Sequence, residues 1–481
     1  MPEAITKEKS KIVQAIAFSA KSVVNHSIIG AKLRIFVELC KNIWLFGTFF
    51  VPLQHEMRKL ILICLCFPLC ALAQEVTHIV QPNIATLRVR LLQEALENAN
   101  SPTRPYLILE GDCIDGSDPT NTLEISFDEL SHDPQQYTYT VTHLNANYTP
   151  SDLMSSEYLS GFTTQDIDTY DHSLNTQQLY THYSFTFPNE QMQITRSGHY
   201  ALTIYQDGDP ENVVAVAVFS VLKPVVSVAG QVTSNTIKEI AGHYQQLDLS
   251  VTFPANTRND EYFIAVQQNN RWDNLVYAPA PSYREPNKLK WLNNASLVFE
   301  GGNEYRHFDT YSVYYAGTGV DRVRYGQGEY HAFLDIDRSR RQGVYTHAYD
   351  ANGQRLVNAE RTEDSDTEAE YMWVHFSLPV DAPLMDRSIY VGGDVFYNRL
   401  TSENRMSYDP DTKTYWLAAL IKQGGVDYQF WEVEDRTNKI TLRNTEGSYW
   451  QTENEYTVFV YYHPLGARTD ELVGYQRFYS R

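Results

Sequence analysis

Positive charge is scarce in this sequence: 39 Lys and Arg stand against 59 Asp and Glu in 481 residues, a formal charge of −20. That deficit excludes a general affinity for nucleic-acid phosphates or for an anionic membrane surface, because both need clustered Lys and Arg. Cysteine is scarcer. Of five, Cys40, Cys64, Cys66 and Cys70 fall before residue 74, which leaves Cys113 alone in the remainder. One thiol forms neither an internal disulfide nor a cysteine-based zinc site. As a nucleophile, Cys113 competes with a simpler reading, a small apolar residue packed near a turn. Long apolar runs are missing as well. Lys21, Lys32, Arg34, Glu38 and Lys41 cut the upstream region into runs shorter than the ~20 residues of a spanning helix, and residues 42–55 are short and contain Pro52. Histidines occur singly, without HxxxH, HExxH or HxH spacing. There is also no GxSxG elbow, phosphate-cradling glycine loop or dinucleotide fingerprint. We therefore expect no catalytic residues, no metal ligands and no cofactor.

What the chain has in abundance is tyrosine, 34 residues against 21 Phe and 7 Trp. Tyr suits strands with one wet face, since it offers an apolar ring and a hydroxyl that stays hydrated. Period-two alternation dominates from about residue 85, as in 137–143, 247–253, 371–378 and 456–462. Turn clusters separate the runs: Asp207-Gly208-Asp209-Pro210, Gly301-Gly302, Asn352-Gly353, Gly392-Gly393 and Gly424-Gly425. Helical pattern is thin, with candidates only at 91–99 and 236–244. The expected fold class is all-β: immunoglobulin-like, early-set β-sandwich domains in tandem with little helix.

The amino end needs its own account. Met57-Arg58-Lys59 precedes fourteen uncharged residues ending in Ala71-Leu72-Ala73, which is a basic n-region, a short apolar core and a small-x-small cleavage site. We read 57–73 as a signal peptide. Residues 1–56 are then an extension from a start codon assigned too far upstream. The mature chain is expected to begin near Gln74, exported and not inserted in the membrane.

Residues 213–222 read as a closing core strand that Lys223-Pro224 interrupts, so a first domain is expected over 74–223. Between 360 and 370, six of eleven residues are acidic, and a solvated linker or a long hairpin loop is the default reading. The expected division is completed by 224–365 and 366–481.

Several polar groups invite chemistry. Asp166, Asp168 and Asp171 alternate as oxygen ligands do, but the glycine and closing glutamate of a calcium loop are missing. Asp335 and Asp337 alternate on an expected strand and should project to solvent. His143, His182 and His375 lie within alternating runs and read as partly buried strand residues. Carboxylates are numerous enough to leave a glycoside hydrolase open, since its two acids have no fixed sequence spacing.

The stretch 387–431 resembles early-set modules related to glycogen-binding domains. In those modules Asn-Trp usually follows the Gly-Asp turn, whereas this chain has Val395-Phe-Tyr-Asn-Arg399. Trp416 and Trp431 are the candidate stacking rings, and core or cross-strand packing is the competing reading.

A wider resemblance covers nearly the whole mature chain. Thr142-His-Leu-Asn-Ala-Asn-Tyr-Thr-Pro-Ser151, Ser156-Glu-Tyr-Leu-Ser-Gly-Phe162, the run 175–188 and Ser197-Gly-His-Tyr-Ala-Leu-Thr-Ile-Tyr205 resemble, in order and spacing, the first module of the Bacteroidota type IX secretion system plug proteins. Phe299-Glu-Gly-Gly-Asn-Glu-Tyr-Arg-His-Phe-Asp309 is similar to that family's Gly-Gly-Asn-Glu-aromatic-Arg-x-Phe-Asp signature, and 370–376 resembles the start of its last module. One departure is Tyr148, which stands where the family has Trp. Asn303, Glu304, Arg306 and Asp309 form a polar constellation that is either a binding site or a hydrogen-bonded corner fixing a loop between sheets. The resemblance implies a non-enzymatic periplasmic protein, peripheral to the outer membrane, that binds a large outer-membrane β-barrel translocon and plugs its periplasmic side. Net acidity favours a basic rim on that partner. Which face binds is not readable in the sequence. The alternatives are a glycan-binding envelope protein using its carboxy-terminal module and, behind it, a glycoside hydrolase.

Overall fold

A computed structural model describes residues 74–96 and 106–480. The expected extension 1–56 and signal segment 57–73 lie outside the described residues. The fold is a set of β-sandwiches, as the alternation predicts. Helix is minimal: Leu92–Leu96 has five residues and Ser365–Glu368 four. The candidate helix at 236–244 does not form. Thr236 folds that segment back on itself instead, its hydroxyl accepting from the amides of Lys238 and Glu239 and donating to the Glu239 carbonyl, local bonds that compete with a helical ladder.

The first sandwich faces the sheet of Val213–Leu222, Gly198–Gln206, Tyr137–Leu144 and Thr164–Ile167 against the sheet of Ile84–Leu91, Leu123–Glu129, Thr181–Phe187 and Tyr170–His172. Leu123, Ile125 and Phe127 on one side meet Tyr137, Tyr139, Tyr200 and Leu202 on the other, all buried. Fully burying each such side chain is worth roughly 1.5–3 kcal/mol relative to exposure.

After Leu222 the chain enters a second sandwich, and the pairing departs from a linear series. Tyr262–Gln268 pairs with Glu455–Tyr462, which pairs with Glu471–Tyr479. The second core thus joins Leu247, Leu249 and Ile264 to Tyr456, Val458 and Val460 from the far end of the sequence. The third sandwich, formed between these segments, stacks Arg306–Asp309, Gly424–Glu434 and Arg387–Gly392 on the sheet of Val320–Gly326, Glu329–Leu334, Tyr371–Pro379 and Thr414–Lys422. The sequence places a boundary between 365 and 366, yet Glu329–Leu334 and Tyr371–Pro379 are paired neighbours across it. Strand pairing instead groups 224–300 with 452–480, with 305–450 inserted between. Alternation marks strands but not partners, so periodicity could not reveal the insertion.

The sandwiches are joined through faces that would otherwise be wet. In Glu455–Tyr462 one set of side chains fills the second core, while Phe459 and Tyr461 point away and pack with Leu222, Ala146 and Leu472 between the first and second sandwiches. Tyr148 is buried at this seam, stacked on His199 at 4.1 Å and edge-on to Trp272 at 4.7 Å. Tyr148 is thus a packing residue.

Candidate functional site

Two clusters of buried charge dominate the molecule. The first lies between the first and third sandwiches and is built on the outward side of the strand Leu123–Glu129. Its inward residues fill the core, so Glu124, Ser126 and Asp128 face away, and the third sandwich covers them. Asp128 is fully buried and takes bonds of 2.6 Å from His182 Nδ1, Tyr371 OH and Lys422 Nζ. Lys422 also donates to the Asp366 carbonyl and lies 4.1 Å from the centre of the Tyr180 ring. Burial alone would push the Asp128 carboxyl up, but Lys422 and His182 hold it down at about 2. Beside it, Asp366 accepts from Arg88 at 2.6 Å and Arg90 at 3.0 Å, while Arg90 also grips Glu124.

The acidic run 360–370, expected as a solvated linker, is therefore partly a docking element. Asp366 enters this cluster, and Glu370 accepts the amides of Gln177 and Gln178. Among the described residues, Glu124, His182 and Asp366 have the spacing of a metal-ligand trio. All three are already engaged, and Arg88, Arg90 and Lys422 surround them, so the charge balance disfavours a cation. A cleft of about 360 Å³ opens next to Arg90 and Asp366. The two arginines, against the cost of burial, hold the Asp366 carboxyl well below the usual range, which unsuits it for general-acid chemistry.

The second cluster is the Gly-Gly-Asn-Glu-aromatic-Arg segment. Gly302 adopts φ +63°, and a side chain on Gly301 would meet the Tyr449 carbonyl at 2.2 Å, which explains the glycine pair. The turn delivers Asn303 to the Glu446 carbonyl at 2.8 Å. Glu446 is fully buried and accepts from Arg306 Nε at 3.0 Å, Arg340 Nε at 2.7 Å and the Phe430 amide at 2.8 Å. Arg306 further donates to Asp337 and to the Arg338 carbonyl. Glu304 is buried and accepts from Tyr345 OH and the Glu453 amide. Asp309 works on the opposite flank, accepting the Thr318 amide at 2.9 Å.

This constellation is a corner that holds a loop. The segment from 335 to 350 has no helix or strand of its own. The strand expected to carry Asp335 and Asp337 stops at Leu334, and Asp337 turns inward to Arg306 at 2.7 Å and Tyr428 OH at 2.6 Å. Ser339, Arg340, Tyr345 and Asp350 are tied down in the same way. Tyr449 OH donates to the Arg340 and Gly343 carbonyls. Between these anchors Ile336, Val344 and Tyr349 are 70%, 92% and 93% exposed. Burial pushes Asp350 up to about 7, against the pull of the Asn352 and Tyr305 amides. The available signal for this loop was the run Arg338-Ser-Arg-Arg341, a local positive excess in an acidic chain.

The remaining candidates are scattered. Trp431 is fully buried beneath Gly392, where a Cβ would sit 1.9 Å from the indole, so it is a packing residue and not a stacking platform. Trp416 is 50% exposed, on the other sheet of the module. His143 is buried between Ser151 and the Ser197 carbonyl, and burial lowers it to about 4. His375 is half-buried against His331 at 3.0 Å. Asp166, Asp168 and Asp171 are exposed. Cys113 is also exposed, contrary to the packed position expected of it.

Residues 114–223 match the family model described as the type 9 secretion system plug protein first domain. A crystal structure of a hypothetical protein from Parabacteroides merdae is 33% identical, with a TM-score of 0.78, covering 85% of this chain and 100% of that one. No curated protein matches the chain.

Proposed function

The chain belongs to the type IX secretion system plug family, and from that premise we propose that it is a non-enzymatic periplasmic protein that binds a large outer-membrane β-barrel translocon and plugs its periplasmic side. The match over 114–223 carries this reading. The architecture supports it: a plug must resist deformation, and the three sandwiches are joined by an aromatic seam and a buried charge cluster. No helix among the described residues is long and apolar enough to cross a membrane, which accords with peripheral attachment.

The test is a crosslinked affinity pull-down of the protein expressed from Met57 in native envelopes, with bound proteins identified by mass spectrometry. Stoichiometric recovery of a very large barrel is the expected result. Recovery of the bait alone, from envelopes shown to contain such a barrel, would overturn the reading.

A further inference from the structure

We infer that the loop 335–350 is the element that seats on the translocon, its Val344 and Tyr349 entering an apolar recess with an acidic rim. This rests on the plug reading and adds to it the contact surface and the chemistry of the recess.

Three observations carry it. First, the exposure is built. Soluble proteins seldom spend buried charge to hold apolar residues in water, yet the buried Glu304 and Glu446 and the largely covered Arg306 converge on this loop. Structureless loops of such length within a compact domain are commonly functional. Second, the anchoring is residue-specific. Asp337, Arg340, Tyr345 and Asp350 bind inward, while Ile336, Val344 and Tyr349 are left outside. Little loop entropy then remains to be lost on binding, which is the condition for a few aromatic and aliphatic residues to dominate an interface. His347 lies edge-on to Tyr349 at 4.8 Å, which limits where that ring can go.

Third, local charge selects the occupant. Asp337 and Asp350 are bonded inward, whereas Arg338 and Arg341 are exposed and Asp335 alone among the loop's acids is fully exposed. The exposed charges of the loop are thus Arg338 and Arg341 against Asp335, one net positive charge on a chain of charge −20, which favours an acidic rim around the recess even on a partner whose wider surface is basic. An anionic lipid surface would attract the same arginines but repel the remaining body, which favours a protein recess.

The experiment places a photo-crosslinking amino acid at position 344 or 349 of the full chain, with positions 385 and 465 as controls; Met385 and Leu465 are both 87% exposed and lie elsewhere. Crosslinks to the barrel from 344 and 349 but not from the controls are expected. A V344D/Y349D variant should recover about tenfold less barrel or worse, with its thermal midpoint unchanged. Should the wild-type protein recover the barrel while 344 and 349 crosslink only to lipid, or to nothing, the loop assignment is overturned and the plug reading survives. Undiminished recovery by V344D/Y349D has the same meaning. If the wild type recovers no barrel from envelopes that contain it, the plug reading fails and this inference fails with it.

Discussion

The Asp128 cluster and the Glu446 corner use the same materials, a fully buried carboxylate bound by cations, toward opposite ends. At Asp128 the partners come from two sandwiches: Asp128 and His182 from the first, Tyr371 and Lys422 from the third. Both sides are covered, and the charges join bodies. At Glu446 the partners Arg306 and Arg340 belong to one sandwich, and beyond them the loop 335–350 faces water. Buried ion pairs are weak sources of net stability but costly to break singly, so they specify geometry. In the first cluster the geometry is that of a joint; in the second it is that of a presented surface.

The largest effect is expected at the joint. Lys422→Met leaves Asp128 buried without its ammonium and should cost about 3–5 kcal/mol in urea unfolding, with partial recovery on adding Asp128→Asn. A loss below 1 kcal/mol would mean that the joint is open in solution. Because the Asp128 carboxyl is held at about 2 against an ordinary 3.8, its stabilisation is present above the ordinary value and is lost as pH falls through the lower one.

Glu446→Gln should cost somewhat less, about 2–3 kcal/mol, since the amide can still accept one bond. Hydrogen exchange separates the two regions. The Glu446 variant should speed exchange at 339–345, and Lys422→Met should not; equal acceleration in both would erase the distinction drawn between joint and corner.

Asp350 predicts a pH effect of the opposite sign to Asp128. Its carboxyl is raised from 3.8 to about 7, so the folded state prefers it protonated. That contribution is full below the ordinary value and is lost as pH rises through about 7. Stability should therefore fall by about 2–3 kcal/mol between pH 5 and pH 8, and Asp350→Asn should flatten the slope. The smallest effect belongs to the loop tip: V344S/Y349S should change stability by less than about 0.5 kcal/mol, because both side chains are almost wholly in water.

The strands at 137–143, 247–253, 371–378 and 456–462 were legible because period-two alternation with Tyr, Val and Phe leaves few other conformations, and the glycine pairs marked where direction changes. The plug signature was legible as a motif, and one of its two readings, the corner that fixes a loop, is the geometry found. Asp128 was not legible. It stands on the outward parity of its strand, where sequence logic predicts solvent, and only a neighbouring sandwich makes that face interior. Asp366 was hidden within an acidic run whose default reading is a hydrated linker. The inserted order of the sandwiches escaped for a related reason: Tyr262–Gln268 does not encode that its partner lies nearly two hundred residues away.

The sequence by itself determined an acidic all-β chain, its strands, its turns and its family, because those follow from local alternation, backbone-permissive residues and short motifs. The tertiary structure decided which outward faces are buried, which carboxylates are neutralised by cations and which apolar residues remain in water. Those are properties of surfaces brought together, and the energy of a charge or a ring depends on what covers it.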